Sequence, residues 1–578
     1  MKYTLILVAA LFSFAASAQA PSVVSVSPAS GALPVSPDTD IVVDFDTAID
    51  PNSINSSTFR VSGKWSGPAT GSFTLENSDQ RVRFTPDEPF LMSELVMVNL
   101  SKGVESAGEV PMELGYAWTF WSGSDEQTTL DLVEVGTLDL RMKGEGNIIS
   151  YGAYAGDLNN DGFSDLSIPN ESSVDVRVMM NDGKGYYDSF TVHGLPGGAL
   201  PSPSDGGDFN EDGEIDIAVG NAGNDRVSVM LGDGTGDFSS ITSMSASGSG
   251  VRGIVVFDAN GDGHDDIVTT SRVTGTLDYF EGLGDGTFED RVTFDAGGSG
   301  ETAVAAADAN GDGLLDLFVG ALHSDEVMIM LSNGDGSFTL SDTMESPGGA
   351  WMMGAGDFNG DGHVDAVTAG EFAHLVAVLF GDGTGHFTSI STFDSGNFTI
   401  AIDVGDLDND GDLDLVSSNY SSRDFYVYEN DGNGNFTHVQ TLEVGGAGSC
   451  AIIHDANNDG FPDVVGVDER DDRVFFYRLQ GSLPTVADNE SPEMQRLDVR
   501  LNPFRGSNTI DVWLAANQHV HLRVFDVRGR QVASLFEGEL AAGPRTISWD
   551  ATSLPSGTYV VRLDTERGGA TSQVTVLR

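Results

Sequence analysis

One acidic loop occurs seven times at almost even spacing, and no other feature constrains the fold of this chain as much. The first copy reads Asp157-Leu-Asn159-Asn-Asp161-Gly162-Phe163-Ser-Asp165, and the same frame restarts at Asp208, Asp258, Asp308, Asp357, Asp406 and Asp455. Successive starts lie 51, 50, 50, 49, 49 and 49 residues apart. Self-similarity at one period marks a repeat architecture, with one supersecondary unit per copy. In each copy oxygen donors stand at positions 1, 3, 5 and 9, Gly stands at 6, and position 7 offers its backbone carbonyl. A hard cation takes roughly six to eight oxygens, and Gly permits the sharp turn between them, so the pattern is that of a calcium loop.

The strand pattern between the loops gives the architecture. Each loop runs into a short apolar segment (Asp216-Ile-Ala-Val219, Asp316-Leu-Phe-Val319), followed by a second one (Arg226-Val-Ser-Val-Met230, Phe425-Tyr-Val-Tyr428). An Asp-Gly turn ending in an aromatic comes next, as in Gly232-Asp-Gly-Thr-Gly-Asp-Phe238, and Asp-Gly supplies the positive φ a hairpin needs. Six such turns serve seven loops. The seventh repeat stops at Val474-Phe-Phe-Tyr-Arg478, whereas Thr128-Thr-Leu-Asp-Leu-Val-Glu-Val135 ahead of the first loop is similar to Thr437-His-Val-Gln-Thr-Leu-Glu-Val444. The early strand is therefore expected to complete the last sheet and close a ring, which removes open sheet edges. The fold class expected is all-β, with a seven-bladed β-propeller over residues 125–480.

The repeat region resembles the FG-GAP/VCBS repeats of integrin α-subunit propellers and bacterial exoproteins, although no literal Phe-Gly…Gly-Ala-Pro stretch is present. The resemblance implies that each loop joins the innermost strand of a blade to the second. It also implies up to seven Ca²⁺, the first held by Asp157, Asn159, Asp161, the Phe163 carbonyl and Asp165. The second and third sets are Asp208, Asn210, Asp212, Glu214 (carbonyl), Asp216 and Asp258, Asn260, Asp262, His264 (carbonyl), Asp266. The fourth and fifth are Asp308, Asn310, Asp312, Leu314 (carbonyl), Asp316 and Asp357, Asn359, Asp361, His363 (carbonyl), Asp365. The last two are Asp406, Asp408, Asp410, Asp412 (carbonyl), Asp414 and Asp455, Asn457, Asp459, Phe461 (carbonyl), Asp463.

Two further modules flank the repeats. Residues 21–122 alternate short apolar runs such as Ile41-Val-Val-Asp-Phe45 and Val96-Met-Val98 with Pro, Gly, Ser and Asn turns, as a small β-sandwich does. With Ser27-Pro28-Ala-Ser-Gly31, Phe84-Thr-Pro86 and Trp118-Thr-Phe120, this module resembles bacterial Ig-like domains, which serve as spacers or binding accessories. Residues 481–495 read as a linker. Residues 496–578 carry Leu501-Asn-Pro-Phe504, Arg528-Gly-Arg530 and Pro555-Ser-Gly-Thr-Tyr559 and resemble the C-terminal sorting domain of type IX secretion substrates, a β-sandwich of Ig-like build that addresses a protein to that machinery. A FlgD-type Ig-like tail is the rival label. Residues 1–18 read as a secretory signal, with Lys2, the apolar run Leu5 to Ala16 and a cut after Ala18. Export through the periplasm of a Gram-negative-type cell, to the surface or the medium, is the expected destination.

Charge narrows the partners. The net charge is −60. Positions 1, 3, 5 and 9 of the loops hold three carboxylates in each of six copies and four in the copy from Asp406, 22 in all, so 38 negative charges lie outside them. Nucleic acid and anionic membrane are excluded as partners. Only five residues are Lys (Lys2, Lys64, Lys102, Lys143, Lys184), which suits a saline medium and equally an ordinary acidic exoprotein. The single Cys450 allows no internal disulfide and reads as a buried small hydrophobe. Beyond the signal no stretch is long and apolar enough to span a membrane.

No Gly-x-Ser-x-Gly elbow, His-Glu-x-x-His, phosphate loop or Cys nucleophile with a partner is present, so no catalytic residue is assigned. Binding is expected on the end opposite the acidic loops, where Trp351, Phe372, Phe398 and Tyr420 fall, with Arg252, His323, Glu371 and Arg423 as polar neighbours. Exposed aromatics there suit a neutral glycan or a protein, against the plainer reading of packing at blade junctions. The expected function is adhesion or ligand binding at the cell surface. The alternatives are an exported polysaccharide-degrading, lyase-like enzyme, which needs Arg, Lys, His or Tyr converging on the channel mouth, and a structural surface-layer component.

Overall fold

The computed structural model describes residues 19–123, 129–479 and 496–577, apart from 500–503, 515–517, 527–529, 541–542, 553 and 566–567. The signal (1–18) and the linker (481–495) lie outside the described residues. The described residues are all-β, with a single 3-10 turn at Pro51–Ser53, and no helix is long and apolar enough to cross a membrane. The chain divides into two compact units, Met1–Leu483 and Pro484–Arg578.

The first unit begins with a two-sheet sandwich. One sheet orders Val23–Ser27, Ile41–Phe45, Arg81–Pro86 and Gly71–Glu76; the other orders Gly67–Pro68, Phe59–Gly63, Leu95–Leu100 and Tyr116–Trp121. Alternate residues point inward, as period-two strands dictate. Ile41, Val43, Val82 and Phe84 thus meet Phe59, Val61, Val98 and Trp118 in one core.

Seven four-stranded antiparallel sheets follow, described here as blades 1 to 7. Blade 2 shows the plan: an inner strand Pro201–Gly207, the acidic loop, a second strand Asp216–Asn221, a third strand Arg226–Gly232 and an outer strand Phe238–Ser245. Second strands are buried on both faces in every blade. That is why they read as unbroken apolar runs, whereas outer strands expose alternate residues. Each blade fills the gap to its neighbour with its own core. Val176 and Val178 of blade 1 pack on Ile217 and Val219 of blade 2, and Phe425 and Val427 of blade 6 pack on Val464 and Phe475 of blade 7. The seventh junction is filled the same way, by Leu166 and Ile168 of blade 1 against Val465 and Val467 of blade 7, and the inner strands Tyr154–Gly156 and Gly448–His454 touch there. The seven sheets therefore form a closed ring.

Blade 7 takes its outer strand from the other end of the repeat region. Leu132–Asp139 pairs with Arg473–Leu479, Arg473 opposite Asp139 and Leu479 opposite Leu132. In blade 6 the matching pair is Asp424 with Glu443, so Asp139 takes the place of Glu443. The expected equivalence of Val135 with Val444 is thus corrected by five residues. The physical reason is burial: Leu140, one residue past the strand, occupies the buried site that Val444 fills in blade 6, and Val135 is only partly covered.

The second unit packs a three-stranded sheet (Arg496–Val499, Ser507–Leu514, Gly543–Asp550) on a five-stranded one (Phe504–Arg505, Gly568–Leu577, Gly557–Thr565, Gln518–Asp526, Gln531–Leu540). Ile510, Val512, Leu522, Trp549, Val561 and Leu563 form its core.

The inter-blade cores carry the ring. Phe425 is fully buried, and a Cβ on Gly466 of the facing blade would lie 2.2 Å from its ring. Phe425→Ala is expected to cost about 3–5 kcal/mol by leaving a cavity. Gly466→Ala is expected to cost about 1–3 kcal/mol by overpacking the same contact. Equilibrium unfolding of both variants measures this, and an unchanged midpoint for either would refute the junction as described.

Candidate metal loops, the domain that covers them, and the opposite face

Each acidic loop folds back on its own side chains. In the fourth, Asp308 accepts from the backbone N–H groups of Gly311 (2.7 Å), Asp312 (3.2 Å) and Gly313 (2.9 Å), Asn310 accepts from Asp312 (2.9 Å), and Asp312 accepts from Leu314 (2.9 Å). Asp316 at position 9 takes the N–H of Ala309 (2.9 Å) and that of Ser332 at the end of the third strand (2.8 Å). Loop, second strand and third strand are therefore tied by one buried carboxylate. Gly at position 6 has φ between 83° and 97° in all seven loops, a left-handed conformation that Gly adopts freely. Sequence reasoning missed position 4, which is left-handed in all seven as well: Asn160, Glu211, Gly261, Gly311, Gly360, Asn409 and Asn458. The signal was there, since six of the seven are Asn or Gly, the residues that tolerate this region.

Position 4 also links neighbouring loops. Asn409 donates to the Gly460 carbonyl (2.8 Å), Asn458 to that of Gly162 (2.6 Å), and Asn160 to the Glu214 carboxylate. Glu211 meets His264 Nδ1 at 2.5 Å, so this imidazole turns to the adjacent loop.

The loops suit a hard divalent cation. Their side-chain donors are all oxygens, and in the sixth loop oxygens of Asp406, Asp408 and Asp414 lie within 4.8 Å of one another. Burial, reinforced by neighbouring loop carboxylates, raises the position-9 aspartates: Asp216 to about 8, and Asp165, Asp316 and Asp365 to about 7. Asp406, Asp408 and Asp455 are likewise pushed to about 7 and Asp208 to about 6, with burial again the largest cause. Carboxylates gathered this closely disfavour one another's charge, and a cation placed among them would offset that cost.

The sandwich domain lies on this face, docked on the loops. Asn99 donates to Asp258 (2.7 Å), Arg60 to the Gly263 carbonyl (2.6 Å) and Asp265 (3.1 Å), and the Lys102 ammonium to the carbonyls of Asn260 (2.5 Å) and Gly334 (2.7 Å). Gly115 lies against Gly261, where a Cβ would come within 2.9 Å of its backbone nitrogen. The turn at Lys64–Ser66 reaches the inner strands: Tyr154 donates to the Lys64 carbonyl (3.1 Å), and Trp65, 3% exposed, sits edge-on to His454 at 6.0 Å. Fully buried Glu94 holds this turn by accepting from Trp65 N (3.0 Å), Ser66 N (3.0 Å) and Ser66 Oγ (2.8 Å).

At the opposite end a small cavity opens into the ring, lined by Ala153, Ser202, Arg252, Met352, Met353 and Cys450 among others. Arg252 is its hub. It pairs with Glu171 (3.1 Å), donates to Ser202 Oγ (2.8 Å), and lies over the rings of Tyr151 and Trp351 at 5.3 and 5.6 Å. Trp351 donates from Nε1 to Tyr151 Oη (2.6 Å), joining blades 1 and 5, and Arg272 lies 5.4 Å from the Trp351 ring. Tyr420 packs on Phe398 (5.8 Å), carries Arg470 over its ring (5.1 Å) and donates to Glu469 (3.3 Å), whose carboxyl burial and nearby Glu171 raise to about 7.

Of the four aromatics weighed as stacking platforms or as packing at blade junctions, only Phe372 is well exposed, at 60%. Trp351, Phe398 and Tyr420 are partly buried and packed on neighbouring side chains. His323 and Arg423 stand in neighbouring loops, and Glu371 is buried there. Sequence reasoning missed Tyr151, Arg272, Glu171, Glu469 and Arg470.

A closed ring of four-stranded sheets with an acidic loop after every inner strand defines a repeat β-propeller. The chain belongs to the FG-GAP-like repeat family, whose model matches six overlapping stretches that together run from 157 to 465, more than half of the chain. The bacterial Ig-like domain model matches residues 17–122, and that of the secretion system C-terminal sorting domain matches 502–577. The protein is thus a type IX secretion substrate, exported to the cell surface or beyond. No curated protein matches the chain. Among solved structures it is similar to a protein from Lactobacillus plantarum (14% identity, TM-score 0.37, covering 67% of this chain and 95% of that one). A functionally unknown protein from Desulfotomaculum acetoxidans is also similar (12% identity, TM-score 0.36, covering 65% and 96%).

The raised loop carboxylates fix the sign of a pH effect. Their folded values lie above the ~3.9 of an unfolded aspartate. The stability this lends is fully present below pH ~4 and is lost as pH rises through the folded values of about 6 to 8. In chelator, the propeller is therefore expected to melt at a higher temperature at pH 5.5 than at pH 8. Calorimetry at both pH values checks this, and a melting temperature that climbs with pH in chelator would contradict it.

Proposed function

We propose that this secreted propeller is stabilised by Ca²⁺ in its acidic loops and binds a protein or neutral glycan at the channel mouth on the other end. The observation that carries the binding reading is the Tyr151–Arg252–Trp351 cluster. It joins polar and aromatic groups from three blades beside a cavity that Arg252 lines, while the loop face is occupied by the sandwich domain. Three arginines (252, 272, 470) are matched there by three glutamates (171, 371, 469), so the mouth has little net charge to select a polyanion.

Array binding of residues 19–480 to glycans and surface proteins, with and without calcium, tests it. A saturable hit is expected to weaken at least about tenfold in Arg252→Ala, the loss of about 1.4 kcal/mol. Equal binding by wild type and variant would remove the mouth as the site.

Calcium has its own test. Extracellular modules bind Ca²⁺ near 10⁻⁴–10⁻³ M, roughly, and each loop filled at a hundredfold over its Kd adds about 2.7 kcal/mol. Chelation should lower the melting temperature steeply, and Asp308→Ala should reproduce only part of the drop. Unchanged melting in excess EDTA would sink the calcium assignment.

A lyase-like enzyme is the second reading, favoured by one observation. Glu469, raised to about 7, stands at 3.3 Å from Tyr420, close to Arg252 and Arg470, so a group able to exchange a proton near neutrality lies among cations. Turnover of any array hit, abolished in Glu469→Gln, would put this reading first.

A further inference from the structure

The third strand beside the seventh loop carries a cation at a position where none of the other six blades does. The residue fifteen positions after the ninth-position aspartate is Met180, Leu231, Glu281, Leu331, Phe380 and Glu429 in blades 1 to 6, and Arg478 in blade 7. In six blades the ninth-position aspartate accepts two backbone N–H groups, as Asp216 does from Phe209 (2.8 Å) and Gly232 (2.7 Å). Asp463 is 2% exposed, and neither of its oxygens accepts a well-formed hydrogen bond of the kind found in the other six, the Ala456 N–H acting on it only weakly. What faces it is the guanidinium of Arg478, 7% exposed, with Nε 3.7 Å from Asp463 Oδ2. The same guanidinium donates to the Lys184 carbonyl in the outer turn of blade 1 and lies over the Tyr186 ring at 4.5 Å.

We infer that Arg478 is a resident counter-ion of the seventh loop, which lowers that loop's demand for metal and latches blade 7 to blade 1 when calcium is withdrawn. The inference rests on the calcium reading of the loops. A buried carboxylate needs a positive partner, and a guanidinium fixed beside it supplies what a cation supplies elsewhere. A second positive charge brought to the same cage is opposed by the first, so calcium binds there more weakly. The location matters because this junction closes the ring, through an outer strand that comes from the far end of the repeat region. The sixth loop is the opposite extreme. It has Asp408 at position 3, and Glu429 stands at the place of Arg478 and raises Asp408 further.

The test uses the full chain, Arg478→Met (Met being the residue of blade 1) and Arg478→Lys, with two readouts. Calcium bound per chain is followed by equilibrium dialysis as free calcium is stepped upward. In the wild type the last calcium is expected at a free concentration about tenfold above the others, and R478M should bring it down to join them. In EDTA, R478M should melt below the wild type and R478K between the two. Seven equivalent uptakes in the wild type would overturn the proposal, and so would an R478M that leaves both uptake and EDTA melting unchanged. Absence of calcium uptake by any variant would defeat the calcium reading itself. The melting comparison in EDTA then decides the latch separately, a lower R478M supporting it and an equal one refuting it. An R478M chain that folds only in calcium would be the expected result in its strongest form.

Discussion

The ninth-position aspartate is the interaction on which the propeller depends. Its two oxygens reach different strands: in blade 2, Asp216 takes Phe209 N from the loop and Gly232 N from the end of the third strand. This fixes the loop relative to the sheet. Such a carboxylate is buried among others, and burying a charge without compensation costs several kcal/mol. Each blade must therefore neutralise it, by a proton, by a bound cation or, in blade 7, by the guanidinium of Arg478. The fold and its chemistry are joined here, because the group that shapes the loop is the one that demands a counter-charge.

Ring closure sets the second constraint. Every blade buries its second strand between two neighbours, so no blade has a complete core of its own. Removing one junction exposes the faces of two blades. The seventh junction resembles the rest in its apolar packing, Leu166 and Ile168 against Val465 and Val467. It differs in covalent connection, since the outer strand Leu132–Asp139 precedes the repeats in the chain and adds to blade 7 by pairing alone.

Much of this was legible from the residues because it repeats. Seven copies of one loop gave the metal-ligand candidates, and the missing outer strand of the seventh gave the closure. The register of the closing strand was not legible. The phrase Leu-Val-Glu-Val135 looks like Leu-Glu-Val444, whereas the structure selects by burial and places Leu140 in that site. The docking of the sandwich domain left almost no pattern, because Arg60 and Lys102 bind backbone carbonyls at Gly263, Asn260 and Gly334, which any sequence offers. The one hint was that two of only five lysines, Lys64 and Lys102, sit in that domain. The channel-mouth cluster was missed for another reason: Tyr151, Arg252, Trp351 and Glu469 are separated by about 100 residues or more, and only the ring brings them together.

The docked domain and the acidic loops are not independent. Asn99 donates to Asp258, the first-position aspartate of the third loop, and the Ala117 N–H donates to the carbonyl of Gly313 in the fourth (2.7 Å). Both contacts exist only while those loops hold their turns at Gly263 and Gly313. Whatever fixes the loops therefore favours docking, and linkage requires that docking favour the loops by the same free energy. The sandwich domain adds protein donors to the loops of blades 3 and 4, one of them at the carboxylate of Asp258. The blades are alike in fold and unlike in which protein groups meet the charge of their loops.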